Sequence, residues 1–287
     1  MEFQLFLPQM RMGIETIVQR ARAAEHAGFS GTSLMDHLAP PLAESKPMFD
    51  AMVTAAWLGA HTTAQVGHLV LCDAFRHPSV LARQAVSLDH ATEGRFELGL
   101  GWGSVPTEFD TFGLPDYSPR QRVERMAETL EVMHALWSGD VVDYDGQYFT
   151  LRAAQQQPTP LASIPIVIGG AGPRTLTLVR RFASWWNCPI HRLDRLDTAR
   201  DQIGPARISI QQRVTFLPAA ADHDAIRNRA AHRFGTNGHV TGTAEQLVEH
   251  FEALGHRGVE RVYAWFTDFA DPDNLAEFGE TVLSPLC

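Results

Sequence analysis

The sequence predicts an α/β chain folded as a (β/α)8 TIM barrel with insertion segments after strand 4. Three observations carry this. Short apolar runs alternate with helix-patterned stretches along the whole of the 287 residues, which is one chain of ordinary barrel length. Two of the runs, Arg95–Gly103 and Ile164–Arg174, open directly into spaced glycines. A last run, Gly258–Phe266, comes late enough to close the barrel. An open doubly wound sheet is the alternative, and the near-regular spacing favours closure. One domain over residues 1–287 is expected.

The elements follow in order. Phe3–Leu7 reads as strand 1, closed by Pro8. Ile14–Ala27 places Ile14, Ile17, Val18, Ala21 and Ala24 on one helical face, and Gly28 ends it. Thr32–Met35 is strand 2 and delivers Asp36 and His37 to its C-terminal end. A loop with Pro40, Pro41 and Pro47 suits a semi-rigid wall. Asp50 caps a helix to about Thr62, Val66–Leu71 is strand 3, and Ser79–Ala91 is helical.

Strand 4 ends at Gly101–Gly103 and is followed by a long loop to Ser118. Pro119 initiates a helix to Trp137. Val141–Leu151, with Asp145-Gly146 between alternating apolar residues, reads as a β-hairpin. Ile166–Ile168 is strand 5, Arg174–Phe182 helical, Trp185–Ile190 strand 6 and Ile208–Leu217 strand 7. Residues 191–206 carry no clear period. Asp222–Phe234 is helical, Thr243 and Gln246 have capping-box spacing before the next helix, and a last helix spans about Asp273–Leu283.

A barrel of this kind carries its site at the C-terminal ends of its strands. The residues placed there are Asp36, His37, the end of strand 3, Gly101–Gly103 and Gly169–Gly172. Glycine suits a loop where backbone approaches a ligand, because it lacks a Cβ and takes positive φ. Tight βα turns are the bland reading of the same glycines. Gly169, Gly170, Ala171 and Gly172 precede a helix, and backbone N–H groups at a helix N-terminus meet an anion well. Arg174 adds charge there or is an exposed helix arginine.

Composition excludes several classes. With 45% hydrophobic residues the core is substantial, and a net charge of −9 argues against nucleic-acid binding. The three cysteines, Cys72, Cys188 and Cys287, have no metal-ligand spacing and fit a reduced, cytoplasmic protein; no metal site is expected. No run approaches the ~18 apolar residues of a membrane span, and the N-terminus does not read as a signal peptide.

The segments Ser33–Leu38, Gly67–Leu71, Phe75–Pro78, Leu88–His90 with Gly94-Arg95, and Gly99–Gly103 form a collinear series. Glu108-Phe109 with Phe112-Gly113, Gln121–Met126, Leu136–Gly139 and Gly169–Thr175 continue it. Together they resemble the luciferase-like flavin and deazaflavin oxidoreductase family, most of all the branch that uses coenzyme F420. The resemblance implies a cofactor ring in the barrel mouth. It implies a bulge in strand 3 at Leu69–Val70, often a non-prolyl cis peptide, behind that ring. It implies a phosphate cradle at Gly169, Gly170, Ala171 and Gly172, Asp36 at the ring's polar edge, and His37 as proton donor or acceptor to a small-molecule substrate. The alternative for His37 is that it only orients its loop, and Trp102 either stacks near the cofactor or shapes the wall. Arg76, Arg174, Arg180 and Arg181 are candidates for a basic track under a polyanionic tail.

Two departures from the sugar-phosphate dehydrogenase branch stand out. Ser104 takes the place of a glutamate, and Pro41 that of an aromatic residue. Glu108 is the nearest remaining acid. The expected function is an F420-dependent oxidoreductase that transfers a hydride. The alternatives are an FMN-dependent monooxygenase using O2 with a reductase partner, and a non-catalytic cofactor-binding barrel. A homodimer through the helix 119–137 is the expected assembly.

Overall fold

The computed structural model describes residues 1–41, 43, 46–235 and 238–286. Cys287, one of the three cysteines above, lies outside them. The strands and helices in chain order are β1 (Glu2–Phe6), α1 (Ile14–His26), β2 (Gly31–Leu34), α2 (Ala51–His61), β3 (Gln65–His68), β4 (Leu71–Cys72), α3 (Pro78–Ala91), β5 (Phe96–Gly101), α4 (Pro106–Thr111), α5 (Pro119–Trp137), β6 (Val142–Asp145) and β7 (Thr150–Ala154). They continue with β8 (Ile166–Gly169), α6 (Pro173–Phe182), β9 (Trp185–Cys188), α7 (Leu196–Ala199), β10 (Arg207–Phe216), α8 (His223–Phe234), β11 (His239–Gly242), α9 (Ala244–His256), β12 (Arg261–Phe266), α10 (Pro272–Phe278) and α11 (Ser284–Leu286).

The parallel ladder runs β1–β2–β3–β5–β8–β9–β10–β12 and returns to β1, so the sheet closes as an eight-stranded barrel. The expected third strand is broken: β3 and β4 both pair with β5, and residues 69–70 bulge between them. The insertion after the fourth barrel strand holds α4, α5 and the antiparallel hairpin β6–β7. Residues 190–206 form only short turns, and β11 adds parallel to the upper half of β10.

Alternation along each strand sorts its side chains. Phe3, Leu5 and Leu7 join the large core between barrel and helices. Phe6 joins Met35, Leu69, Val167, Trp185 and Tyr263 in a second cluster inside the barrel. Below that cluster lies a polar floor. Arg261 Nη1 donates to both oxygens of Glu97, at 2.8 and 2.7 Å, and Tyr263 Oη donates to Glu97 at 2.9 Å. Gln4 accepts from Ser33 Oγ at 2.8 Å beside them.

Helix ends follow the sequence signals. Asp50 accepts from Val53 N at 2.8 Å, and Ser118 with Gln121 forms a capping box on α5. No helix among the described residues is long and apolar enough to cross a membrane.

Candidate active site at the barrel mouth

The two glycine-ended strands meet at the C-terminal rim. A Cβ built on Gly170 would lie 3.8 Å from Trp102 Nε1, so the loop after β5 touches the loop after β8. The second loop is held from outside the barrel: Trp186 Nε1 donates to Gly170 O at 2.7 Å.

The glycines divide into two kinds. The Leu69–Val70 peptide is cis, and its bulge presses on β5. A Cβ at Gly99 would overlap the His68 carbonyl oxygen, and one at Gly101 would sit 2.7 Å from Val70 Cγ2. Gly103 has φ +90°, and a Cβ there would lie 2.8 Å from the Phe109 ring. The missing side chains at Gly101 and Gly103 therefore leave room for Val70 of the bulge and for the Phe109 ring. Gly169 differs: a Cβ there meets nothing within 4 Å. Beyond it, Gly172 caps α6 without a side-chain hydrogen bond, Pro173 occupies the first turn, and Arg174 is exposed. Gly169 thus borders open space, and Gly170, Ala171 and Gly172 lead from it into a bare helix N-terminus, which suits a phosphate.

Phe109 packed over Gly103 sets the position of Glu108. Its Oε1 accepts from Leu38 N at 2.6 Å and Ala39 N at 3.2 Å, and its Oε2 lies 2.9 Å from His37 Nδ1. The acid that the sequence offered as the nearest one remaining both anchors the loop and orients the imidazole. Because a carboxylate accepts, the shared proton belongs on Nδ1, which leaves Nε2 as the open ring nitrogen. The His37 side chain is 19% exposed and that of Glu108 7%, so the pair sits at the edge of water.

Asp36, expected at the cofactor's edge, has its oxygens taken up by protein. Arg76 forks onto it at 2.5 and 3.0 Å, and Cys72 N donates to it at 2.9 Å. Burial works against the Arg76 guanidinium, but Asp36, with Asp50 beyond, holds it above its ordinary value. Asp36 therefore fixes the strand-3 bulge and Arg76. Behind Arg76, Arg125 donates to the buried Asp73 carboxylate and to the Arg76 carbonyl. The basic track shrinks accordingly. Arg76 is neutralised by Asp36, Arg181 pairs with Glu131, and Arg180 lies at the far end of α6; Arg174 alone of the four stands at the cradle.

His77, His90 and His68 serve the structure. His77 accepts from Ser79 N at the start of α3, and His90 contacts Thr159 O. His68 is sealed under the bulge, and burial drives its imidazole down to about 4. Burial pushes the Cys72 and Cys188 thiols up to about 12, which makes them poor nucleophiles. Among the described residues no group of three or more His, Cys, Asp or Glu is placed to hold a metal ion.

Comparison with known proteins agrees with this architecture. The family model for luciferase-like monooxygenases matches residues 1–269. An F420-dependent glucose-6-phosphate dehydrogenase from Microbacterium testaceum is 34% identical over 273 residues, covering 88% of this chain and 80% of the relative. The solved structure of an F420-dependent secondary alcohol dehydrogenase with an F420-acetone adduct superposes with a TM-score of 0.84 at 17% identity, covering 99% and 98% of the two chains. A riboflavin lyase solved with modified FMN also gives 0.84, at 16% identity, covering 99% and 91%. The two solved structures share the fold, and the family model together with the dehydrogenase relative shows that the chain belongs to the luciferase-like monooxygenase family of oxidoreductases.

Proposed function

We propose that the chain is a coenzyme F420-dependent oxidoreductase acting on a small organic substrate. The observation that carries this is the meeting, at one rim, of an open glycine cradle on a bare helix N-terminus and a histidine held by a buried glutamate. The similarity to an F420-dependent dehydrogenase along most of the chain favours the deazaflavin over FMN. Gly169–Gly172, the α6 N-terminus and Arg174 hold the phosphate end of the cofactor. The Leu69–Val70 bulge, backed by Gly99 and Gly101, and Trp102 form the wall for its ring.

F420, when bound, supplies a hydride donor or acceptor. The chain's own work is orientation and proton transfer. Oxidation of an alcohol carbon releases one hydride and one proton, and Nε2 of His37 takes that proton in this reading. Glu108 keeps the ring in the required tautomer and steadies the charge that results. Asp36 and Arg76 act one layer further out, as positioning residues for the bulge. A cytoplasmic setting fits the free, buried thiols of Cys72 and Cys188.

The partner this reading favours is a second copy of the chain, through α2 and not α5. The outward face of α5 is polar, whereas Val53, Ala56, Trp57 and Ala60 form an exposed apolar stripe along α2. Trp57→Glu should shift the chain toward monomer in sedimentation velocity; an unchanged distribution removes that face from the assembly.

The deciding experiment titrates the purified chain with F420 and with FMN, followed by cofactor fluorescence. Tight, preferential F420 binding that Gly170→Val abolishes supports the proposal. Preferential FMN binding redirects it to oxygen-consuming monooxygenase chemistry with a separate reductase. Binding of neither overturns it in favour of a barrel without this activity.

A further inference from the structure

One half-buried cation at the mouth has no counter-charge among the described residues. The buried Arg261 and the partly buried Arg76 and Arg125 each lie against a carboxylate. Arg213, on the upper half of β10, does not: among the described residues it forms no ion pair. Its guanidinium lies between two rings instead, 4.3 Å from the Trp265 centroid and 4.8 Å from that of Phe234. Strand register places it beside Trp265 on β12, whose ring meets Phe6 inside the barrel edge to face. The arginine thus belongs to the inner wall, not to the outer surface.

Two buried donors in this contact lack acceptors. Arg213 Nε and Trp265 Nε1 are both without a hydrogen-bond partner. An unmet buried donor is costly, and two on touching side chains call for a group that only accepts. The cleft next to them is lined by Met10, Arg11, Arg233, Phe234, Trp265 and Phe269, with Pro41 and Ala43 at its edge. Neither Arg11 nor Arg233 pairs with a carboxylate among the described residues, although the chain carries a net charge of −9. Burial lowers the Arg213 guanidinium, and no carboxylate among the described residues counters it.

We infer that Arg213 and Trp265 anchor an oxyanion of the substrate, a carboxylate or phosphate carried on an apolar body. Stacked between rings, the guanidinium is pre-oriented and presents its N–H edge to the anion. The apolar walls take the rest of the molecule, so a free sugar body fits this subsite poorly. The word substrate rests on the oxidoreductase reading above; the anion site itself does not.

The test is isothermal titration of the purified chain, with and without F420, using benzoate, phenyl phosphate and the neutral benzyl alcohol. At least one anion is expected to bind tenfold or more tightly than benzyl alcohol, and the stronger of the two identifies the group. Arg213→Met should lose that binding at least tenfold with an unchanged or raised Tm, and Arg213→Lys should fall between. F420 affinity should be the same in all three proteins. Anions that bind no better than the alcohol, or an Arg213→Met protein that binds them normally, overturn the anchor. So does an Arg213→Met protein that loses stability or fails to fold, since the guanidinium would then serve the fold. F420 binding is read separately, so loss of the cofactor reading leaves the anion result standing, and the converse holds.

Discussion

The floor and the mouth of the barrel use the same kind of group to opposite ends. At the floor, Arg261 and Glu97 are 4% and 1% exposed, and Tyr263 supplies a further donor to the carboxylate. Glu2 lies 2.8 Å from Arg261 and Trp185 stacks 3.7 Å above it. At the mouth, His37 and Glu108 are joined through one ring nitrogen, and the other is left over. A charge pair sealed away from water can only hold structure. A pair with one vacancy, at the edge of water, can exchange a proton.

The comparison breaks most readily at the floor. Replacing one member of a sealed pair leaves a buried charge short of its partner, which costs up to about 3–5 kcal/mol, and Glu2 alone then stays on Arg261. Glu97→Leu should therefore lower unfolding stability by about that amount in urea titration, with F420 affinity of the folded protein unchanged. Adding Arg261→Met should recover most of the loss, since the stranded charge goes with it. A double variant as weak as the single one would mean that the pair does more than cancel charge.

His68 sits between the two regions and gives a pH test. Its folded imidazole titrates at about 4 because burial opposes the charge, against an ordinary value near 6.5. Between these values the unfolded chain binds the extra proton and the folded chain does not. Stability should then fall as pH falls from 6.5 to 4, by about 3 kcal/mol in total, and level off below. His68→Gln should remove that part of the slope, and parallel curves for the two proteins would contradict the assignment.

At the mouth the effect should appear in rate and not in stability. His37→Ala is expected to lower turnover about 100-fold, with unfolding stability within ~1 kcal/mol of the parent. Glu108→Gln keeps an acceptor for the loop amides but loses the charge, so a drop of about tenfold is expected. Should His37→Ala turn over normally, the vacancy on Nε2 has no catalytic use.

The same contrast explains what the sequence made legible. Parallel strands read as continuous apolar runs, so the barrel, its order and its insertion stood out, as did Asp50 as a cap and Pro119 as a helix start. Residues 190–206 did not, because Leu196, Ala199, Ile203 and Ala206 are buried from short turns that keep no period. The loop motifs marked the rim but not who meets whom. Gly101 and Gly169 look alike in the chain, and only packing shows that one faces Val70 and the other open space. Arg213 in an alternating strand reads as a surface residue; its isolation from carboxylates is a fact of three dimensions.

The smallest expected effect sharpens the contrast through salt. Arg174 is exposed at the cradle, so its attraction to a cofactor phosphate is screened over about 8 Å at physiological ionic strength and over about 3 Å at 1 M. Arg174→Gln should weaken F420 binding about three- to tenfold in low salt, by fluorescence titration, and hardly at all in 1 M salt. The Glu97→Leu loss should be the same in both, because no ion reaches the floor. An Arg174 effect that survives high salt would show that the guanidinium is held in a dry, fixed contact, and the cradle would then be a closed pocket in place of an open rim.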